Sequence, residues 1–138
     1  FTVDFASISL EPFAALPPEL WTETFFRANE LANAYVDARA RDVVHAMSKT
    51  DVTIDPARRA PWDWIQRKLA LRRGPLPPSE ELRSRLTADL PDLRAVVDLV
   101  DCAADGYPRF FAGTVDGASI LFDRARPGLW DAKPCPVA

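Results

Sequence analysis

Two side chains could act as a general acid or base in this sequence. His45 is the only histidine among the 138 residues, and an imidazole titrates near neutral pH. Tyr35 precedes it on the same predicted helix. Each also has a structural interpretation, His45 as a partly exposed helix residue and Tyr35 as part of the core. No recognised catalytic motif surrounds either residue.

The sequence lacks the residues of a zinc site and of a phosphate-binding loop, and although spacing leaves a carboxylate-only magnesium site open, no Asp-x-Asp cluster stands out. A zinc site requires several Cys or His ligands at close spacing, but the chain has one histidine and two distant cysteines, Cys102 and Cys135. The five glycines form neither a dinucleotide fingerprint nor a phosphate loop. We therefore expect no metal and no cofactor. Two such cysteines make no disulfide framework, which favours a cytoplasmic setting.

The aromatic residues indicate either a core or a pocket for an apolar ligand. Four tryptophans are many for this length. Most such residues anchor cores, and some line pockets for bulky apolar ligands. If there is a pocket, we expect its substrate-binding residues to be Phe25, Tyr35, Trp62, Trp64 and Phe111.

The charges are distributed unevenly along the chain. The net charge of −3 argues against a nucleic-acid partner, and no apolar run is long enough to span a membrane. Residues 58–73 are strongly basic, whereas acids dominate residues 80–105. This asymmetry indicates either two solvated faces or a surface that docks an acidic partner. The docking residues would be Arg58, Arg59, Arg67, Lys68, Arg72 and Arg73.

One long helix must position most of these residues. The segment Leu20–Lys49 contains neither Gly nor Pro, and its apolar residues recur with the spacing of one helical face. A helix of this length spans roughly 45 Å, the width of a small domain. We therefore predict a mainly α fold, a helical bundle built around this N-terminal helix.

Shorter helices follow the long one. We predict an extended arm over 1–17, a helical domain over 18–123 and an irregular tail over 124–138. Within the domain, prolines, glycines and capping residues delimit three more helices. These are a helix from Pro61 to a C-cap at Gly74, one over Glu80–Ala88 capped by Ser79, and one over Pro91–Ala104 capped by Asp89 and stopped by Gly106.

Residues 107–123 have two interpretations. Asp116-Gly117 between two apolar runs is a strong signal for a β-hairpin, which would resemble the wing of a winged-helix domain. The competing interpretation is a last helical turn, a loop and a short buried segment at Ile120–Phe122. The sequence slightly favours the hairpin.

The order of these pieces resembles the N-terminal helical portion of the methyltransferase domains of polyketide synthases. That portion begins with a long helix carrying an Ala-Tyr-Val pattern and continues through a Cys-Ala turn, a glycine, an Asp-Gly pair and a Leu-Phe run. The matching pieces here are Asn33–Val36, Asp101–Ala104, Gly113, Asp116-Gly117, Ile120–Phe122 and Gly128–Trp130.

The resemblance implies a lid that binds substrate over a separate S-adenosylmethionine-binding domain. The family continues into that domain where this sequence ends, and no Glu/Asp-x-Gly-x-Gly loop is present here. The chain would then be a lid subdomain, or a stand-alone descendant put to another use. The family's catalytic residues lie in the missing part, so none is carried over.

Three functions are compatible with the sequence. The first is a non-catalytic lid that grips an acyl chain tethered to an acidic acyl carrier protein. The second is a small free-standing cyclase or isomerase acting on a hydrophobic biosynthetic intermediate. The third is an adaptor or dimerisation module, which would form a stable homodimer through exposed aromatic residues.

Overall fold

The computed structural model describes residues 22–50 and 52–122, and in these residues it is helical without any strand. This confirms the predicted mainly α class. The predicted arm over 1–17 and the tail over 124–138 lie outside the described residues. The described residues form five α-helices, α1 (Glu23–Ser48), α2 (Arg59–Leu71), α3 (Ser79–Asp89), α4 (Arg94–Phe111) and α5 (Gly117–Leu121), with 3₁₀ turns at Pro56–Arg58 and Pro91–Leu93.

Helix α1 is the element on which the other long helices pack. Thr22 caps its N-terminus, because its hydroxyl accepts a hydrogen bond from the Phe25 amide at 3.1 Å. The helix contacts α2, α3 and α4. The predicted bundle around one long helix is therefore present.

Two groups of buried side chains form the core, and α1 contributes to both. The first group joins α1 to α3 and α4, and the second joins α1 to α2 and α4. Ala38 is fully buried in the first group, where its small side chain lets the neighbouring helices approach closely. The groups are Tyr35, Ala38, Leu82, Leu86 and Val97, then Val43, Met47, Trp62, Ala104 and Phe111.

Several helix ends differ from the prediction because side chains near them form other hydrogen bonds than the predicted caps. The Asp55 carboxylate accepts a hydrogen bond from the Ala57 amide at 2.9 Å and starts a 3₁₀ turn, so α2 begins at Arg59 instead of Pro61. Ser79 is the first residue of α3 and not its cap, since its hydroxyl donates to Asp42 of α1 at 2.5 Å. Asp89 ends α3 and caps nothing after it.

The helix that was predicted to stop at Gly106 continues to Phe111. It ends in a Schellman motif, in which the Gly113 amide donates to the Phe110 carbonyl at 2.9 Å and the Thr114 amide to the Arg109 carbonyl at 3.0 Å. Gly113 has a φ of 76°, the left-handed conformation that this motif requires.

The predicted β-hairpin does not form in residues 107–122. Asp116 is the N-cap of α5, because its carboxylate accepts a hydrogen bond from the Ser119 amide at 2.7 Å. Its pKa lies below the ordinary value since the Ser119 amide and hydroxyl both donate to the carboxylate. The Asp-Gly pair therefore starts a helix, which agrees better with the competing interpretation of a helical turn followed by a loop.

Gly106 allows α5 to pack directly against α4. A Cβ atom built at this buried glycine would lie only 2.4 Å from the Cγ2 methyl of Ile120. Cys102 adds a second contact, because its thiol lies 3.4 Å from the Ile120 carbonyl. Glycine is thus needed at position 106 for close approach, not as a helix stop.

We expect Gly106→Ala to destabilise the fold by roughly 1–3 kcal/mol, since the new methyl overpacks against Ile120. The loss should outweigh the gain in helix propensity, about 1 kcal/mol. Urea unfolding followed by circular dichroism measures the change.

Gly117→Ala is the matched control, because its new methyl would meet nothing closer than 3.9 Å. Shortening Ile120 to Ala in the Gly106→Ala background should recover part of the loss. If Gly106→Ala were as stable as Gly117→Ala, the packing argument would be wrong.

Candidate functional site

An apolar groove between α1, α2 and α4 is the best candidate for a binding site. It has a volume of about 140 Å³. Three alanines in its wall leave room for it, since larger side chains would fill the space between the helices. The lining residues are Val36, Arg39 and Ala40 from α1, Trp64, Ile65, Lys68 and Leu69 from α2, and Val100, Ala103, Ala104 and Tyr107 from α4.

Trp64 and Lys68 form the α2 side of the groove. Trp64 is 58% exposed, although it is a large aromatic residue. The Lys68 ammonium lies 5.9 Å from the centre of the Trp64 ring, a cation–π distance. The groove therefore combines an apolar wall with a cation beside an accessible indole.

Only Trp64 of the five predicted substrate-binding residues lines this groove. Tyr35, Trp62 and Phe111 are buried in the core. The Trp62 and Phe111 rings pack edge to face with their centres 5.1 Å apart. Phe25 lies near the start of α1, where its ring packs edge to face on Phe26. The structure thus does not bring these five residues together at the groove.

Tyr35 belongs to a polar network that fastens α1 to α4. Its hydroxyl donates to Asp101 at 2.5 Å, while Arg39 and Arg83 contact the same carboxylate at 2.8 and 3.1 Å. Burial, and the hydrogen bond to Asp101, raise the pKa of the Tyr35 phenol well above its ordinary value. A buried phenol that stays protonated is suited to a structural role and not to proton transfer.

His45 is exposed in the last full turn of α1 and lines none of the cavities described here. Tyr35, ten residues earlier, is inside the core. The structure therefore brings neither of the acid–base candidates to the groove.

The predicted docking residues divide into two groups. Arg58, Lys68 and Arg72 bond within the fold: Arg58 lies over the Phe110 ring at 4.7 Å, and the other two bind Asp37. The remaining three are exposed on or next to α2 and form no ion pair with another described residue; they are Arg59, Arg67 and Arg73.

Asp37 is a buried structural residue at the edge of the groove that sequence patterns missed. Its side chain is 8% exposed and binds Lys68 Nζ at 2.5 Å through one oxygen and Arg72 through the other. A buried carboxylate requires such partners. Asp37 therefore fixes the direction of Lys68 at the edge of the groove.

Within the described ranges, no group of three or more His, Cys, Asp or Glu residues is placed to hold a metal ion. None of the helices there is both long and apolar enough to cross a membrane. No protein-family model, curated protein or solved structure matches the chain. The interpretation of the groove therefore rests on its own geometry.

We expect Tyr35→Phe to change how stability depends on pH. An unfolded tyrosine titrates near pH 10, and the folded pKa is higher, so the contribution of Tyr35 is complete below about pH 10 and falls as pH rises further. Above about pH 10, this contribution to the free energy of unfolding should fall by up to roughly 1.4 kcal/mol per pH unit. Tyr35→Phe should lack this slope and lose about 1 kcal/mol at neutral pH.

Urea unfolding between about pH 8 and 11 measures the free energy of unfolding of the wild type and of Tyr35→Phe. The other tyrosine, Tyr107, is present in both proteins, so it does not contribute to the difference. Stability curves that run parallel over this range would contradict the role given to Tyr35.

We expect Asp37→Asn to destabilise the fold by roughly 2 kcal/mol, because it leaves Lys68 and Arg72 without their shared carboxylate. Thermal unfolding measures the loss. Asp98→Asn, at an exposed site on α4, is the control and should change stability by less than about 0.5 kcal/mol. Equal effects in the two variants would show that Asp37 has no special role.

Proposed function

We propose that this chain is a non-catalytic helical lid of a polyketide-type methyltransferase, and that it binds a short apolar segment of an acyl chain carried by an acidic acyl carrier protein. The S-adenosylmethionine-binding domain would be a separate unit, and the setting cytoplasmic. The observation that carries the proposal is the apolar groove next to exposed cations on α2.

The size of the groove supports a partial grip on a chain. Pockets that enclose a drug-sized ligand measure roughly 300–1,000 Å³, whereas this groove measures about 140 Å³. It therefore accommodates a few carbon atoms of a longer substrate, and the remainder would lie outside.

The charges along α2 support an acidic partner. Arg67 and Arg73 are exposed and form no ion pair with another described residue. Arg67 is on α2 and Arg73 lies just beyond its end, and Trp64 and Lys68 of α2 line the groove. A partner attracted to these arginines would thus reach the groove with its acyl chain, and complementary charge would mainly raise the rate of association.

The free-standing cyclase or isomerase has less support. Such an enzyme needs an acid or base within hydrogen-bond distance of its substrate. Tyr35 is in the core and His45 is exposed elsewhere, so neither of the two predicted acid–base residues lies at the groove. Substrate binding without turnover is the function that agrees better with this arrangement.

The test measures binding of an acidic acyl carrier protein bearing a short saturated acyl chain. Native mass spectrometry gives the stoichiometry, and calorimetry gives the affinity. We expect a one-to-one complex without a change in substrate mass. Arg67→Glu combined with Arg73→Glu should weaken it about tenfold or more, and Ala103→Phe, which fills the groove, should remove the advantage of the acylated over the unacylated carrier.

Matched controls are Arg94→Glu and Ala88→Phe, which alter exposed positions on α4 and α3 and should bind as the wild type does. Equal affinity for acylated and unacylated carrier would refute acyl binding in the groove. A changed substrate mass would favour an enzyme, and a homodimer that ignores the carrier would favour an interaction module.

A further inference from the structure

A second cavity, on the other side of Asp37, is lined by three arginines. It lies between α1, α3 and the end of α2, and has a volume of about 590 Å³. Arg27, Arg72 and Arg85 line it, and among the described residues Glu30 is the only acid in its wall. We define this as the arginine cavity. The proposed function makes no use of it.

Two of these arginines have no ionic partner in the part of the chain that the structure describes. Arg27 and Arg85 are exposed and form no ion pair with any other described residue. They come from different helices, so the tertiary fold, not local sequence, places them at one cavity. Like charges at one site repel each other, and an anion would relieve that repulsion.

Arg72 adds a third cation with a fixed direction. One of its guanidinium nitrogens binds Asp37, which is also neutralised by Lys68. The Arg72 side chain keeps 29% exposure. The pair with Asp37 thus orients Arg72 without cancelling the positive charge of the cavity, because two cations share that carboxylate.

The apolar part of the wall limits the ligand further. Leu31 and Ala34 of α1, together with Leu82 of α3, line the same cavity. A ligand that fits this wall has a small organic body beside its anionic group. Arginine forks match phosphate oxygens with paired hydrogen bonds, and three forks offer more donors than a carboxylate can accept.

We propose that the arginine cavity binds a soluble phosphate monoester, with Arg27 and Arg85 as the principal phosphate ligands. Arg72 faces the phosphate from the end of α2, and the organic body contacts Leu31 and Ala34. This inference stands independently of the acyl groove.

Calorimetry at a fixed ionic strength of about 0.15 M tests the proposal, since salt screens non-specific attraction. The probes are glycerol 3-phosphate, inorganic phosphate, lactate as a carboxylate of similar size, and vesicles containing phosphatidic acid. We expect saturable binding of glycerol 3-phosphate, and lactate binding at least tenfold weaker.

Arg27→Gln and Arg85→Gln should each weaken glycerol 3-phosphate binding at least fivefold. Arg94→Gln removes an exposed arginine of α4 outside the cavity and should leave glycerol 3-phosphate binding unchanged. Glu30→Gln removes the acid from the wall and should tighten binding two- to threefold. All four positions are exposed, so circular dichroism should show an unchanged fold.

Three results would overturn the proposal. Absence of saturable binding by glycerol 3-phosphate would refute the site. An equal loss in Arg94→Gln would show non-specific attraction to positive charge. Binding to phosphatidic acid vesicles without binding to the soluble probes would assign the arginines to a membrane surface instead.

Discussion

The burial of one carboxylate constrains how α1 and α2 pack. Asp37 is buried on α1, where Lys68 of α2 and Arg72 at the C-cap of α2 bind its two carboxylate oxygens, and a buried carboxylate without such partners would cost free energy. This requirement fixes the rotation of α2 about its own axis. One consequence is that Lys68 lies at the apolar groove while Arg72 lies at the arginine cavity. The two proposed sites therefore both depend on Asp37, a structural residue that is not proposed to bind either ligand.

The long helix was predictable because apolar periodicity over many residues reports burial directly. Helix ends were less predictable, since the hydrogen-bond partners of capping side chains can lie on other helices. Ser79 has the sequence character of a cap, but Asp42 from another helix takes its hydroxyl. Asp116-Gly117 is a strong hairpin signal by itself, yet packing of Ile120 against Gly106 makes a helix the better state. Tertiary contacts decided both cases.

The groove was predictable only in part, for a physical reason. Sequence patterns identify large aromatic residues, and Trp64 was found in this way. A cavity, however, forms where side chains are small. Ala40 and Ala103 leave a space only once α1, α2 and α4 have packed together. Asp37 was missed because charged residues are usually assigned to the surface, and its two cations lie more than thirty positions further along the chain.

The contact between Gly106 and Ile120 also limits how sequences with this fold can diverge. Any side chain at position 106 takes volume that Ile120 now occupies, so a relative with alanine there needs a smaller residue at position 120. Among related sequences, a larger side chain at one of the two positions should occur with a smaller side chain at the other. Such a reciprocal size relation could identify distant relatives whose remaining residues have changed too far to align.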